Sequence, residues 1–168
     1  MENDDTSGYG IRSTGNLNLT ISGNNISSAS GSLSHDAIIL ESGANSSTIT
    51  NNIIRTTVSG DGISFDGANN NNISYNNITS VNIGINLALG STTNNIVFFN
   101  NITTTASLDG IQIASSSQNN NISTNNITTT GSLSDGILIT GPNVKFNIIE
   151  YNEISTSGTT ANGLVVSA

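Results

Sequence analysis

Four aspartates stand at one recurring place in the chain, Asp36, Asp61, Asp109 and Asp135, each followed by Ala or Gly and then Ile. A row of carboxylates at a fixed interval is what calcium binding or sugar hydrolysis would use. Cleaving a glycosidic bond requires two carboxyl groups facing one sugar, and Asp61 with Asp66 is the pair that could share a groove. The competing chemistry is a turn: an Asp before Gly accepts backbone N–H bonds in tight turns. Ile83 and Asn162 take the remaining places in the row. One carboxylate per repeat is the mark of a structural turn, and Asp61, Asp109 and Asp135 are therefore read as turn residues. Of the other groups able to move protons, His35 is the single histidine and reads with Asp36 as a solvated loop pair. Arg12, Arg55 and Lys145 stand apart from one another. The residues thus predict no catalytic cluster, no metal site and no cofactor.

These aspartates are positioned by a repeat. A small residue before an alternating apolar segment falls at Gly10, Ala37, Gly62, Gly84, Gly110, Gly136 and Gly163, in steps of 27, 25, 22, 26, 26 and 27. An Asn-x-Ile mark starts at Asn24, Asn51, Asn76, Asn100, Asn125 and Asn152, in steps of 27, 25, 24, 25 and 27. Two marks keeping one period define a repeat protein. Each repeat offers three strand-length segments. The first alternates apolar residues, as in Ile111 and Ile113; the second holds Ile73, Val97, Ile122 and Ile149; the third holds Ile26, Ile53, Ile78, Ile102, Ile127 and Ile154. Thr48-Ile49-Thr50 falls outside the second column on this reading. Alternation over such short runs is the strand signature. Segments this short, always in the same order, stack in parallel on the next repeat, about 4.8 Å away, and parallel crossovers are right-handed. The predicted fold is an all-β, single-domain, right-handed parallel β-helix of about six three-strand coils over residues 9–168. Residues 1–8 read as a lead-in or cap.

Composition narrows the partners. The chain has 168 residues, 34% of them hydrophobic and 8% charged, which suits the thin apolar axis of a solenoid. Eleven acidic and three basic residues give a net charge of −8, which argues against nucleic acid, since phosphate binding needs a basic stripe. The absence of cysteine excludes disulfides and thiolate metal sites. The apolar runs are too short to predict membrane insertion. The final segment, Gly163 to Ala168, reads as the first strand of a further coil with an open edge, predicting end-to-end self-association through the C-terminal coil.

The pattern Asn-x-Ile-Ser-x-Asn-x-Ile at Asn71 to Ile78 and Asn120 to Ile127, followed by Asp-Gly-Ile, resembles the parallel β-helix repeat of the pectate-lyase-like superfamily. It is most similar to the NosD-type, carbohydrate-binding and sugar-hydrolase repeats of bacterial and archaeal surface proteins. The resemblance implies that Asn24, Asn51, Asn76, Asn100, Asn125 and Asn152 form an inward amide ladder. It further implies an extracellular or cell-surface module, non-catalytic, acting as scaffold, adhesin or carbohydrate-binding surface. Similar polygalacturonases carry Gly-His-Gly and Arg-x-Lys, which this chain lacks. A fragment of a polysaccharide lyase or hydrolase is the alternative. A second alternative is ice binding: Thr103-Thr104-Thr105 and Thr128-Thr129-Thr130 place a Thr-x-Thr array outward if the preceding Ile points inward.

Overall fold

A computed structural model describes residues 8–29 and 35–167, and every regular element among them is a strand. The first coil holds β1 (Ile11–Ser13), β2 (Thr20–Ser22) and β3 (Asn25–Ser28). The second holds β4 (Ile38–Glu41), β5 (Thr48–Thr50) and β6 (Ile53–Thr56), and the third β7 (Ile63–Asp66), β8 (Asn72–Ser74) and β9 (Asn77–Ser80). Coil four has β10 (Ile85–Leu89), β11 (Ile96–Phe98) and β12 (Asn101–Thr104); coil five has β13 (Ile111–Ile113), β14 (Asn121–Ser123) and β15 (Asn126–Thr129). Coil six has β16 (Ile137–Thr140), β17 (Ile148–Glu150) and β18 (Glu153–Thr156), and β19 (Leu164–Ser167) opens a seventh.

Three parallel sheets run along the axis. The first joins β1-β4-β7-β10-β13-β16-β19, the second β2-β5-β8-β11-β14-β17 and the third β3-β6-β9-β12-β15-β18. Strands of three to five residues have no partner within their own coil, so each pairs with its equivalent one coil away, as Ile102 does with Ile78 and Ile127. The predicted solenoid of about six three-strand coils is the observed architecture. Among the described residues no helix is long and apolar enough to cross a membrane. The lead-in predicted for residues 1–8 falls, except for Gly8, outside the described residues.

Alternation places one inward Ile or Val per strand of the second and third sheets, and these columns form the core together with first-sheet residues such as Ile63, Phe65 and Leu87. Ile49, Ile73, Val97 and Ile122 are fully buried in the second sheet, and Ile54, Ile78, Ile102 and Ile127 in the third. A hydroxyl follows two residues after each third-sheet Ile: Ser28, Thr56, Ser80, Thr104 and Thr129 are buried and hydrogen-bonded, Thr56 to Ser80 at 3.0 Å for example. The small-residue mark has a steric cause. A Cβ added to Gly110 would lie 2.3 Å from Ile127 Cγ2 and 2.6 Å from the Gly136 carbonyl oxygen.

Coil two corrects the expected register. Ile54, not Ile53, faces inward: Ile54 pairs with Ile26 and Ile78, whereas Ile53 pairs with Asn25 and Asn77 and is 40% exposed. A one-residue slip exchanges the two faces of a strand, and Thr-Asn-Asn-Ile-Ile presents two adjacent candidates for each role. With Ile54 inward, the segment 48–50 is no longer anomalous. Ile49 pairs with Ile21 and Ile73 and precedes Ile54 by the same five residues that separate Ile73 from Ile78.

Candidate functional site

Three columns of polar side chains run along the solenoid, and each expected site residue belongs to one of them or beside it. The first is an amide ladder in the turn between the second and third sheets. Asn24, Asn52, Asn76, Asn100, Asn125 and Asn152 occupy it; Asn51, placed there by the repeat reading, instead lies exposed one residue earlier. The main-chain N–H and Nδ2 of Asn76 both donate to Asn100 Oδ1, at 3.0 and 2.9 Å, and Asn100 donates the same two bonds to Asn125, each 3.0 Å. Nδ2 of Asn100 also donates to the Ile73 carbonyl at 2.9 Å. Both ends of every interior amide are thus engaged, which is why a polar group tolerates burial here.

A second ladder escaped the repeat reading. Asn71 donates to Asn95, Asn95 to Asn120 and Asn120 to Asn147, through main-chain N–H at 2.9 Å in each case. It lines the turn between the first and second sheets. The available signal was an Asn two residues before each second-sheet Ile or Val, as in Asn95 and Val97. Leu19 and Ser47 take that place in the first two coils and obscure it, with Ser47 Oγ accepting from the Leu19 N–H.

The carboxylates form the third column. Asp36 Oδ1 accepts the Asp61 N–H at 2.7 Å, Asp61 Oδ1 the Ile83 N–H at 3.1 Å, Asp109 Oδ1 the Asp135 N–H at 2.9 Å and Asp135 Oδ1 the Asn162 N–H at 2.8 Å. Asp61 also accepts from Ser64, Asn82 and Asn86, the last two at 2.7 Å. Asp36 and Asp61 are buried, at 6% and 5% exposure, and so is His35 at 8%; the solvated His35–Asp36 loop pair is corrected accordingly. Burial pushes the Asp36 carboxyl up to about 6, with the negative charge of Asp61 adding to it. Burial likewise raises Asp61 and Asp109, against the hydrogen bonds they accept. Asp66, the proposed partner of Asp61, ends β7 exposed. Arg12 pairs with Glu41 through two bonds of 2.8 and 2.9 Å, so it is a surface ion-pair residue. No cluster of three metal-ligating side chains occurs among the described residues.

The corners of the coils hold a feature that lies outside these ladders. The residue before each first-ladder Asn is left-handed: Gly23, Asn51, Tyr75, Phe99, Thr124 and Tyr151 have φ from 53° to 70°. Glycine and asparagine suit that conformation, whereas an aromatic or Thr is strained in it. Tyr75, Phe99 and Tyr151 nonetheless occupy it and are 54%, 47% and 83% exposed. Tyr75 and Phe99 stack at 5.2 Å with 15° between their planes, and Phe98 meets both edge-on. Beside them the outer face of the third sheet carries rows of amides (Asn77, Asn101, Asn126) and hydroxyls (Thr79, Thr103, Thr128) in register.

A parallel solenoid with three strands per coil, stacked Asn turns and no helix among the described residues defines a β-helix protein. A family model described as a right-handed β-helix region matches residues 7–168, and the chain belongs to that family. No curated protein and no solved structure matches it.

Proposed function

We propose that this β-helix is a non-catalytic module of an extracellular or cell surface, akin to the NosD-type repeats, that scaffolds and contacts carbohydrate. The observation that supports this reading is the use made of the carboxylates. Asp36, Asp61, Asp109 and Asp135 each accept a backbone N–H from the next coil, and Asp61 accepts four donors in all. A general acid or base needs an oxygen within reach of its substrate, and Asp36, Asp61 and Asp109 are buried and engaged in structural bonds. The outer face of the third sheet in coils three to five is neutral and suited to hydroxyl-rich ligands: rows of amides and hydroxyls bordered by exposed aromatic rings. Two measurements test the reading. A glycan array should show binding, and incubation with polygalacturonate or alginate, with or without calcium, should release no product. Product release abolished by Asp61→Asn would replace this reading with that of a polysaccharide hydrolase or lyase.

Ice binding is a second reading, favoured by the outward Thr103 and Thr105 over Thr128 and Thr130. The array narrows to Thr79 with Val81 on one side and Ser155 with Ser157 on the other, two coils in extent. Thermal hysteresis that disappears in Thr103→Tyr would favour it.

A further inference from the structure

The aromatic corner is built against the local backbone preference. Its column needs a left-handed residue in every coil, and the chain itself supplies the unstrained solutions in Gly23 and Asn51. Coils three, four and six carry Tyr75, Phe99 and Tyr151 instead, and all three rings point into solvent. A ring held outward at a strained position contributes little to the core, so its presence points to function.

The ring faces are unevenly covered. Tyr75 and Phe99 cover one face of each other. On the far side of Phe99 the column continues with Thr124, a short side chain, and then Tyr151. Phe99 and Tyr151 are two coils apart, or roughly 10 Å at the parallel-strand spacing. Thr124 is thus the floor of a slot with an aromatic residue at each end. That separation is too wide for two rings to touch and suits one saturated ring between them. The slot's edges come from the neighbouring columns: Ser123 and Glu150 on the second sheet, Asn126 and Glu153 on the third. Hydroxyl, amide and carboxylate oxygens beside aromatic faces are hydrogen-bonding partners for sugar hydroxyls, while the rings take the sugar's C–H face. The two glutamates, in a chain of net charge −8, repel acidic sugars.

We propose that this corner is a binding site for a neutral oligosaccharide, with one pyranose ring seated on Phe99 above Thr124 and against Tyr151, and the next following the Tyr75–Phe98–Phe99 rings. The site rests on the carbohydrate-contact reading above and gives it a location and a ligand class. It lies on the turn between the second and third sheets, away from the aspartate column.

Titration calorimetry with cellohexaose, xylohexaose, mannohexaose and chitohexaose, with hexagalacturonate as the acidic comparison, tests it. The key variant is the triple change Tyr75→Asn, Phe99→Asn and Tyr151→Asn. Asparagine already fills this place in coil two, so the variant should fold, with a circular dichroism spectrum like the parent's and a urea midpoint equal or higher. Expected are binding of at least one neutral hexaose, no binding of hexagalacturonate, and at least an about tenfold loss of affinity in the variant. Should the folded variant bind as the parent does, the corner is overturned while the carbohydrate reading stands. If the parent binds none of the five, both are overturned. A parent that sediments as a dimer and a variant that sediments as a monomer would overturn the sugar site in favour of an interface between two copies.

Discussion

Coil four and coil six carry the same third-sheet signature, an Asn two residues before an Ile, but among the described residues only coil four has a full coil on each side. Ile102 is fully buried and Asn100 is 1% exposed, whereas Ile154 and Asn152 are half-buried. The glycine that follows each behaves likewise. A Cβ on Gly110 would meet Ile127 Cγ2 at 2.3 Å, while one on Gly163 would find Ile154 Cγ2 at 3.9 Å, an ordinary contact. Burial in this fold is conferred by the next coil rather than by a residue's own sequence, as expected where each repeat touches only its neighbours.

The largest effect expected from this difference is at the isoleucines. Ile102→Ala should cost about 3–4 kcal/mol, by lost transfer energy plus a cavity, and Ile154→Ala about half that or less. Urea melts of both would measure the gap; equal costs would mean that the last coil is covered in solution. The ladder amides come next. Asn100→Ala removes the acceptor of two Asn76 bonds and strands donors in a buried turn, for about 2 kcal/mol. Asn152→Ala removes the acceptor of two Asn125 bonds and the donor to the Ile122 carbonyl, but Asn125 Nδ2 keeps the Val97 and Ser123 carbonyls and the site is half-buried, so the cost should be under about 1 kcal/mol. The glycine pair should show a smaller difference: about 1–2 kcal/mol for Gly110→Ala, from overpacking against Ile127 and a carbonyl, and within about 0.5 kcal/mol for Gly163→Ala.

The same neighbour dependence explains what could be read in advance. The period, the three columns and the parallel stacking are visible because the inward Ile and the close-packed Gly recur in coil after coil. Asn51 and Asn52 could not be told apart by residue type, since both are followed by Ile at a suitable distance; the discriminating fact was the five-residue spacing from Ile49 to Ile54. The second ladder was hidden because two of its six places are Leu19 and Ser47. The aspartates were legible as turn residues from Asp-Gly alone, but their burial was not, because Ser64, Asn82 and Asn86 reach Asp61 from other positions of the coils. Tyr75, Phe99 and Tyr151 each stand directly before a ladder Asn in the chain, but their left-handed backbone and their exposure belong to the folded turn.

The aspartate column extends the comparison to pH. Asp36 and Asp61 sit in adjacent coils, buried, with Asp36 held up to about 6 from an ordinary 3.8 by desolvation first and by Asp61 second. A carboxyl whose folded pKa lies above its unfolded one binds its proton more tightly in the fold, so folding is favoured in acid. That stabilisation is complete below about 3.8 and is lost as pH rises through about 6. Asp61 and Asp109, also raised, act in the same direction. Glu41 acts the other way, since the Arg12 hydrogen bonds lower it, but its loss of stability falls below its ordinary 4.5 and its exposed partner is screened. Between about pH 4.5 and pH 6, then, stability should fall with rising pH, by about 1 kcal/mol from Asp36, or about 2–4 °C in Tm for a chain of this size. Asp36→Asn is the decisive variant. An amide Oδ1 can still accept the Asp61 N–H, as Asn52 and Asn76 accept theirs from the preceding Asn. The variant should therefore keep the fold, flatten the fall in Tm across that window, and melt higher than the parent near pH 7. A variant that melts lower near pH 7 would show that the Asp36 carboxylate stabilises the column through its charge, and that its burial costs less than the geometry implies.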